Sequence, residues 1–176
     1  IKVNRSIVYK GDIKAIHYPW QIFQLNDWAI RADFEMISSG RKSKPISKTN
    51  KLVKPSGIFA EAGATIEHCI LNASEGPIYI GKNARIMEGS LLRGPIAICE
   101  GAVVKMGTKM YGATTIGPYC TVGGEIKNSV LFGYTNKAHD GYLGDSVLGE
   151  WCNLGAGTSN SNVKNSFEPP ILLQLF

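Results

Sequence analysis

The sequence has few residues that would support a metal site or a disulfide framework. It holds four cysteines and three histidines in 176 residues, without a CxxC spacing or closely paired histidines. A metal site is therefore not expected. Cys120 and Cys152 occupy positions that are mostly small in a six-residue repeat of this sequence, so both are predicted to be buried and to fill space in the core. A reduced, cytoplasmic chain is the simplest interpretation, and disulfides stay an open alternative.

The sequence also lacks a membrane-spanning apolar run, a recognisable signal peptide and a lysine-rich block. No membrane and no nucleic acid is expected as a partner. The net charge of +5 fits a basic surface that faces a small phosphorylated ligand. Because the chain begins with Ile1 rather than Met, we expect it to be part of a longer polypeptide.

A six-residue period of apolar residues dominates the segment from 80 to 123. Eight successive hexads carry an apolar residue at one phase: Ile80, Ile86, Leu92, Ile98, Val104, Met110, Ile116 and Val122. The position four residues later is mostly small: Ala84, Ser90, Ala102, Thr108, Thr114 and Cys120, with Ile96 and Ile126 as exceptions. Helices repeat near 3.6 residues and strands at 2, so neither explains this period. It predicts the hexapeptide repeat of a parallel β-helix.

The hexad phase extends beyond this segment, with two interruptions. It predicts further inward residues at Ile58, Ala64, Ile70, Leu148 and Leu154. A loop is predicted within residues 71–79, and a second phase shift follows Val122.

Three hexads make one turn, so residues eighteen apart are predicted to stack at the strand spacing of about 4.8 Å. Lys109 is thereby predicted to lie over Lys127. Either both lysines extend into solvent, or they clamp an anion such as a sugar phosphate.

Three regions are predicted along the chain. Residues 1–56 comprise one N-terminal helix, from Trp20 to Ile37, and a basic linker that we expect to be solvated. The helix is apolar around nearly its whole circumference, so it needs burial on more than one side, against the body or a partner chain. Residues 57–165 form the β-helix and residues 166–176 a C-terminal tail.

The repeat breaks its own rule between Val130 and Leu148, where polar residues enter the core phase. Such breaks are candidate functional sites. His139 lies in this stretch, and Tyr142, Asn153, Asn160 and Asn162 follow within about one turn. His17 and His68 have no such surroundings and are interpreted as structural.

The segments Tyr142-Leu143-Gly144-Asp145 and Asn153-Leu154-Gly155-Ala156-Gly157-Thr158 resemble a known family. It is the bifunctional UDP-N-acetylglucosamine pyrophosphorylase / glucosamine-1-phosphate N-acetyltransferase family, in its acetyltransferase domain. The family pattern is a histidine three residues before a tyrosine, then LGD, then an asparagine before a leucine- or isoleucine-GAGT. Glu125-Ile126-Lys127 also matches, and the resemblance covers roughly residues 58 to 163. It implies an all-β fold, a single-stranded left-handed parallel β-helix, assembled as a homotrimer.

The resemblance also implies an activity: acetyl-CoA-dependent N-acyl transfer to an amino-sugar phosphate, in nucleotide-sugar and cell-wall biosynthesis. His139 would be the general base that takes a proton from the amino group as nitrogen attacks the thioester carbonyl. Lys127 matches a sugar-phosphate contact, and Lys109 stands where the family has an arginine. The matched sugar-binding positions are Tyr142, Asn153 and Asn162. Ala156 falls where the backbone approaches acetyl-CoA.

The chain departs from this family pattern around the histidine. Lys137 and Ala138 directly precede His139, whereas the family places them one residue earlier, with a glycine beside the histidine. Asp140 replaces an apolar residue, and a carboxylate there would raise the pKa of a histidine and impair a neutral base. The run after Thr158 also differs from the family's.

Two alternatives stay open. The segment around Tyr18-Pro19-Trp20 and the linker resembles the connection in a Bacteroidetes-type group of sugar nucleotidyltransferases, so the β-helix would be a non-catalytic, trimerising or regulatory part of such an enzyme. The other alternative is a hexapeptide acyltransferase with a different substrate, including a nucleotide sugar.

Overall fold

The hexad repeat folds as short strands that wind into a solenoid with three parallel sheets. The computed structural model describes residues 7–11 and 13–160. Each turn passes through sheet B, sheet C and sheet A in that order, and every strand pair is parallel. The predicted parallel β-helix is confirmed.

Sheet A contains β1 (Lys51–Val53), β4 (Ile70–Asn72), β7 (Leu91–Arg93), β10 (Lys109–Tyr111), β13 (Glu125–Lys127) and β16 (Tyr142–Gly144). Sheet B contains β2 (Ile58–Ala60), β5 (Ile78–Ile80), β8 (Ile96–Ile98), β11 (Thr114–Ile116), β14 (Val130–Leu131) and β17 (Val147–Leu148). Sheet C contains β3 (Thr65–Ile66), β6 (Arg85–Ile86), β9 (Val103–Val104), β12 (Thr121–Val122) and β15 (Asn136–Lys137). A short 3-10 helix, Pro55–Gly57, joins β1 to β2.

The three sheets enclose one apolar core. All eight hexad residues from Ile80 to Val122 are buried, and so are the small residues beside them. Ile58, Ala64 and Leu148 are buried as predicted, and Leu154 packs against the core. The prediction for Ile70 is wrong: it is 45% exposed, and Leu71 is buried instead because it pairs in register with Leu92.

The N-terminal helix is present but divided, as α1 (Gln21–Gln24) and α2 (Asn26–Ser38). Asn26 is buried against sheet B, where its amide donates to the carbonyl of Ala113 (2.7 Å) and its oxygen accepts from the Thr115 hydroxyl (2.9 Å). Trp28 and Met36 are 51% and 73% exposed. The described part of this chain therefore covers one side of α2, and the all-round burial expected from its apolar residues is not met here. The structure contains no helix that is long and apolar enough to span a membrane within the described ranges.

The basic residues of the linker are exposed to solvent, as predicted, but the linker is more than a connector because part of it joins the solenoid. The Lys44 amide donates to the carbonyl of Ala60 (2.8 Å), and the Cys69 amide donates to the Asn50 side chain (2.8 Å). These hydrogen bonds lay the linker along the first full turn, and β1 already belongs to sheet A. The interruption predicted at 71–79 is a long connection from β4 to β5, where Arg31 of α2 donates to the Glu75 carbonyl (2.7 Å).

The four cysteines are free thiols. Cys120 is fully buried, as predicted, whereas Cys152 is only partly buried. Burial raises the pKa of the Cys99 thiol to about 11.

An aromatic ladder runs along the corner between sheets B and C. Its three rungs are Tyr119, Tyr134 and Trp151, and the successive ring centroids are 5.4 and 4.5 Å apart. All three residues have φ near +56 to +59°, a left-handed conformation that is unfavourable for side chains with a Cβ atom. Stacking of the rings opposes this backbone strain.

Candidate functional site

The outer surface of sheet A brings several of the predicted residues together. Two outward columns flank the inward residues of this sheet. In the first, Lys109 pairs with Glu125, and Glu125 pairs with Tyr142. In the second, Tyr111 pairs with Lys127, and Lys127 with Gly144. Lys109, Lys127 and Tyr142 therefore share one face of the solenoid.

The predicted stacking of Lys109 over Lys127 is wrong. Met110 pairs with Ile126, so this turn contains sixteen residues rather than eighteen. The shortening occurs at Gly123–Gly124, between the strands β12 and β13. As a result, Lys109 lies before the inward residue of its strand and Lys127 after it, in different columns.

Glu125 interacts with Lys109 and Tyr111, although the sequence pattern predicted no role for it. Its carboxylate lies 3.9 Å from the Lys109 ammonium and accepts a hydrogen bond from the Tyr111 hydroxyl (2.6 Å). That hydrogen bond raises the pKa of Tyr111 to about 12. Lys109 therefore has an internal partner. Lys127 has no ion pair or side-chain hydrogen bond with the described residues, which makes it the more available cation for an anionic ligand.

His139 lies at the corner between sheets C and A, in the connection from β15 to β16. Its side chain is exposed and does not point into the core. Its main-chain carbonyl accepts a hydrogen bond from the ammonium of Lys137 (2.5 Å), which is itself buried. Asp140 is also exposed, and its carboxylate raises the pKa of Lys137 against the larger lowering by burial.

The last described turn covers this corner. The Gly157 amide donates to the Asp140 carbonyl (3.0 Å), so residues 155–158 lie on residues 138–141. Ala156 is exposed in the upper corner. The structure thus brings Ala156 and His139 to the same corner, next to the sheet that carries Tyr142 and Lys127.

Asn153 lies on the other side of this corner, in line with sheet C. It is exposed, forms an isolated parallel bridge with Asn136, and accepts a hydrogen bond from the Asn136 amide (2.7 Å). It borders the His139 corner rather than sheet A. Asn162 lies outside the described residues.

Asn160 has a structural role that the sequence did not predict. Its side-chain oxygen accepts from the Gly144 amide (3.0 Å) and its amide donates to the Gly144 carbonyl (2.9 Å). The Ser159 hydroxyl accepts from the Tyr142 amide (2.9 Å). These side chains satisfy the backbone of β16 where a further strand would otherwise do so.

A groove of about 410 Å³ continues the site toward the earlier turns of sheet A. Ile70, Leu91, Arg93, Lys109 and Tyr111 contribute to its lining. Within the described ranges, no cluster of three or more His, Cys, Asp or Glu residues is arranged to hold a metal ion.

The fold and the arrangement of its corner define a β-solenoid protein of the hexapeptide-repeat class. Comparison with known proteins adds the relationship. Residues 2–42 match the family model described as sugar nucleotidyl transferase. The chain is 31% identical over 110 residues to the bifunctional protein GlmU of Synechococcus elongatus, covering 58% of this chain and 24% of that protein.

Two other relatives carry the same name. The bifunctional protein GlmU of Rippkaea orientalis is 37% identical over 86 residues, covering 48% of this chain and 18% of that protein. That of Nostoc sp. is 32% identical over 164 residues, covering 81% of this chain and 36% of that protein. The chain therefore spans between about a fifth and about a third of the length of these relatives. The solenoid and these similarities fit a GlmU-like hexapeptide-repeat domain, as the sequence resemblance indicated.

Proposed function

We propose that this chain carries an acetyl-CoA-dependent N-acyltransferase site for an amino-sugar phosphate resembling glucosamine-1-phosphate. The observation that carries the proposal is the exposed His139 imidazole beneath the exposed Ala156 corner, next to the sheet face that bears Lys127 and Tyr142. A base and exposed residues above it at one corner, with a cation on the adjoining sheet, suit the acylation of a phosphorylated amine.

His139 is the proposed general base. A neutral imidazole has an unprotonated ring nitrogen that accepts a proton. It would remove a proton from the amine as the new N–C bond forms and return it to the departing thiol as the C–S bond breaks. When bound, acetyl-CoA supplies the reactive thioester carbonyl.

Lys127 is the proposed phosphate contact, because its ammonium is free of internal partners among the described residues. Tyr142, whose phenol lies over Gly144, and Asn153 flank the corner on its two sides as proposed sugar contacts. Asn162 keeps the same proposed role from the resemblance alone. Lys109 already pairs with Glu125, so a phosphate would compete with that carboxylate for the Lys109 ammonium. The contribution of Lys109 is therefore expected to be smaller than that of Lys127.

The test is release of CoA thiol from acetyl-CoA and glucosamine-1-phosphate, followed with a thiol-reactive dye. His139→Gln is expected to lower kcat by about 100- to 10,000-fold, the range for loss of a general base. His68→Gln is the matched control, because His68 is exposed at an earlier corner between sheets C and A. Absence of thiol release by the wild-type oligomer, or an unchanged rate in His139→Gln, would contradict the proposal. A panel of amino-sugar phosphates and nucleotide sugars would then identify the acceptor.

A second candidate is favoured by the family match over residues 2–42. In that case the solenoid is a non-catalytic trimerisation or regulatory part of a sugar-1-phosphate nucleotidyltransferase. Both candidates are expected to form a homotrimer, which light scattering measures. Trimer formation without thiol release would favour the second.

A further inference from the structure

One charged residue lies inside the solenoid, in a column that is otherwise apolar. Lys137 pairs in register with Val122, and its side chain is 2% exposed. The preceding members of the column are Ile66, Ile86, Val104 and Val122. Burying a charge in an apolar core is unfavourable unless its hydrogen bonds are satisfied. Packing alone would favour an apolar residue at position 137.

The Lys137 ammonium makes two hydrogen bonds to main-chain carbonyls at the same corner. It donates to the carbonyl of Gly123 (3.1 Å) in the turn below and to the carbonyl of His139 (2.5 Å) in its own turn. Burial lowers the pKa of Lys137, and the Asp140 carboxylate opposes that effect. The side chain thus connects two successive turns where the proposed base is located.

The lengths of the two turns explain why this connection is needed. The lower turn crosses the corner with only Gly123–Gly124 between β12 and β13, whereas the upper turn uses residues 138–141. A Cβ atom on Gly123 would lie 2.3 Å from the Ala138 carbonyl oxygen, and one on Gly124 would lie 2.8 Å from that of Gly141. The longer corner therefore rests on a shorter one. The additional residues of the upper corner have no counterpart in the turn below. The His139 carbonyl, which faces the inside of the solenoid, therefore needs a donor from elsewhere.

We propose that Lys137 is the positioning residue for His139: its buried ammonium holds the His139 carbonyl inside the solenoid, which fixes the corner with the imidazole outside. The role of His139 as a base rests on the proposed function. The anchoring of the corner rests on the two hydrogen bonds and the difference in turn length alone.

Lys137→Met tests the inference, because methionine fills the column without donating a hydrogen bond. Methionine removes the cost of burying a charge but leaves the Gly123 and His139 carbonyls without this donor, so the two effects on stability oppose each other. We expect a small change in melting temperature, together with amide hydrogen exchange at residues 138–142 faster by about tenfold or more. In the thiol-release assay, kcat should fall by about tenfold or more while KM for the sugar phosphate stays within about twofold.

Ile86→Met is the matched control, since Ile86 lies in the same column three turns lower and its strand pairs with no strand that borders this corner. It should leave exchange at 138–142 and kcat unchanged. Unchanged exchange in folded Lys137→Met would overturn the inference whatever the activity. A wild-type protein without thiol release, but with faster exchange in Lys137→Met, would defeat the proposed function and leave the anchoring intact.

A measurement on the wild-type protein covers the case in which Lys137→Met does not fold. A buried ammonium that makes two hydrogen bonds should give slowly exchanging Nζ protons by NMR, with cross-peaks to Gly123 and His139. Rapidly exchanging Nζ protons without these cross-peaks would overturn the inference.

Discussion

In the aromatic ladder, two opposing contributions to stability, ring stacking and backbone strain, can be measured separately. Tyr134 is the middle rung, with ring-centroid distances of 5.4 Å to Tyr119 and 4.5 Å to Trp151. Each stacked pair contributes about 0.5–1.5 kcal/mol beyond burial. Loss of both pairs in Tyr134→Ala should therefore lower the free energy of unfolding by about 1–3 kcal/mol.

Tyr134→Gly removes the same rings but also relieves the backbone strain. The φ of Tyr134 is 59°, where a residue with a Cβ atom is disfavoured by about 1–2 kcal/mol. Part of this gain is offset by the larger conformational freedom of glycine in the unfolded chain. The glycine variant should be more stable than the alanine variant by about 1 kcal/mol, the reverse of the order in regular strands.

Equilibrium urea unfolding, followed by circular dichroism, measures these differences. The comparison requires that the free energy of unfolding depend on urea concentration with the same slope in each variant. Phe132→Ala is the matched control, because Phe132 is 42% exposed in the same turn and has no ring stack among the described aromatic residues. It should be less destabilising than Tyr134→Ala. The reasoning fails if the glycine variant is the less stable of the pair, or if Phe132→Ala has the same effect as Tyr134→Ala.

Three further predictions concern other contacts. Asn26→Ala should lower the free energy of unfolding by about 1–3 kcal/mol and speed proteolysis within α2, because it removes a buried hydrogen bond to the Ala113 carbonyl and a partly buried one from the Thr115 hydroxyl. Unchanged cleavage would contradict this. Gly124→Ala should be more destabilising than Gly157→Ala in urea unfolding. Both glycines have positive φ, but an added Cβ atom would lie 2.8 Å from a backbone atom at Gly124 and near nothing at Gly157. Equal effects would disprove the close contact. The hydrogen bond to Glu125 raises the pKa of Tyr111 from its ordinary 10 to about 12. The stability that this bond contributes is therefore fully present below pH 10 and is lost as the pH rises toward 12. Glu125→Gln should lower the midpoint of Tyr111 ionisation in a tyrosinate absorbance titration, and an unshifted midpoint would count against the bond.

The regular turns were predictable because their period leaves one solution. An apolar residue every sixth position, with a small residue beside it, fits a three-sided solenoid and neither a helix nor a flat strand. Prediction failed where a turn changes length. Ile70 was assigned inward because six was counted from Ala64. The step from sheet C to sheet A is one residue shorter here, five residues from Ile66 to Leu71 against six from Ile86 to Leu92, so Leu71 faces the core and Ile70 faces outward. A one-residue slip exchanges the two faces of a strand.

The candidate site was only partly predictable for the same reason. The motif around His139 located the corner, and Lys127 and Tyr142 share the adjoining sheet. Glu125 and Lys137 were missed as functional residues because their partners depend on register across turns of unequal length. A polar residue at an inward phase, as at Lys137, is the signal that would have found one of them.

The location of the candidate site follows from the solenoid's own geometry. Where turns have equal length, each backbone group finds its partner in the next strand, and side chains outside the core are free to vary. The short Gly123–Gly124 corner beneath residues 138–141 ends this match, so main chain there needs side-chain donors. Lys137 supplies one from inside. The mismatch in turn length thus leaves an exposed segment that Lys137 holds from inside, and that segment is where His139 is presented.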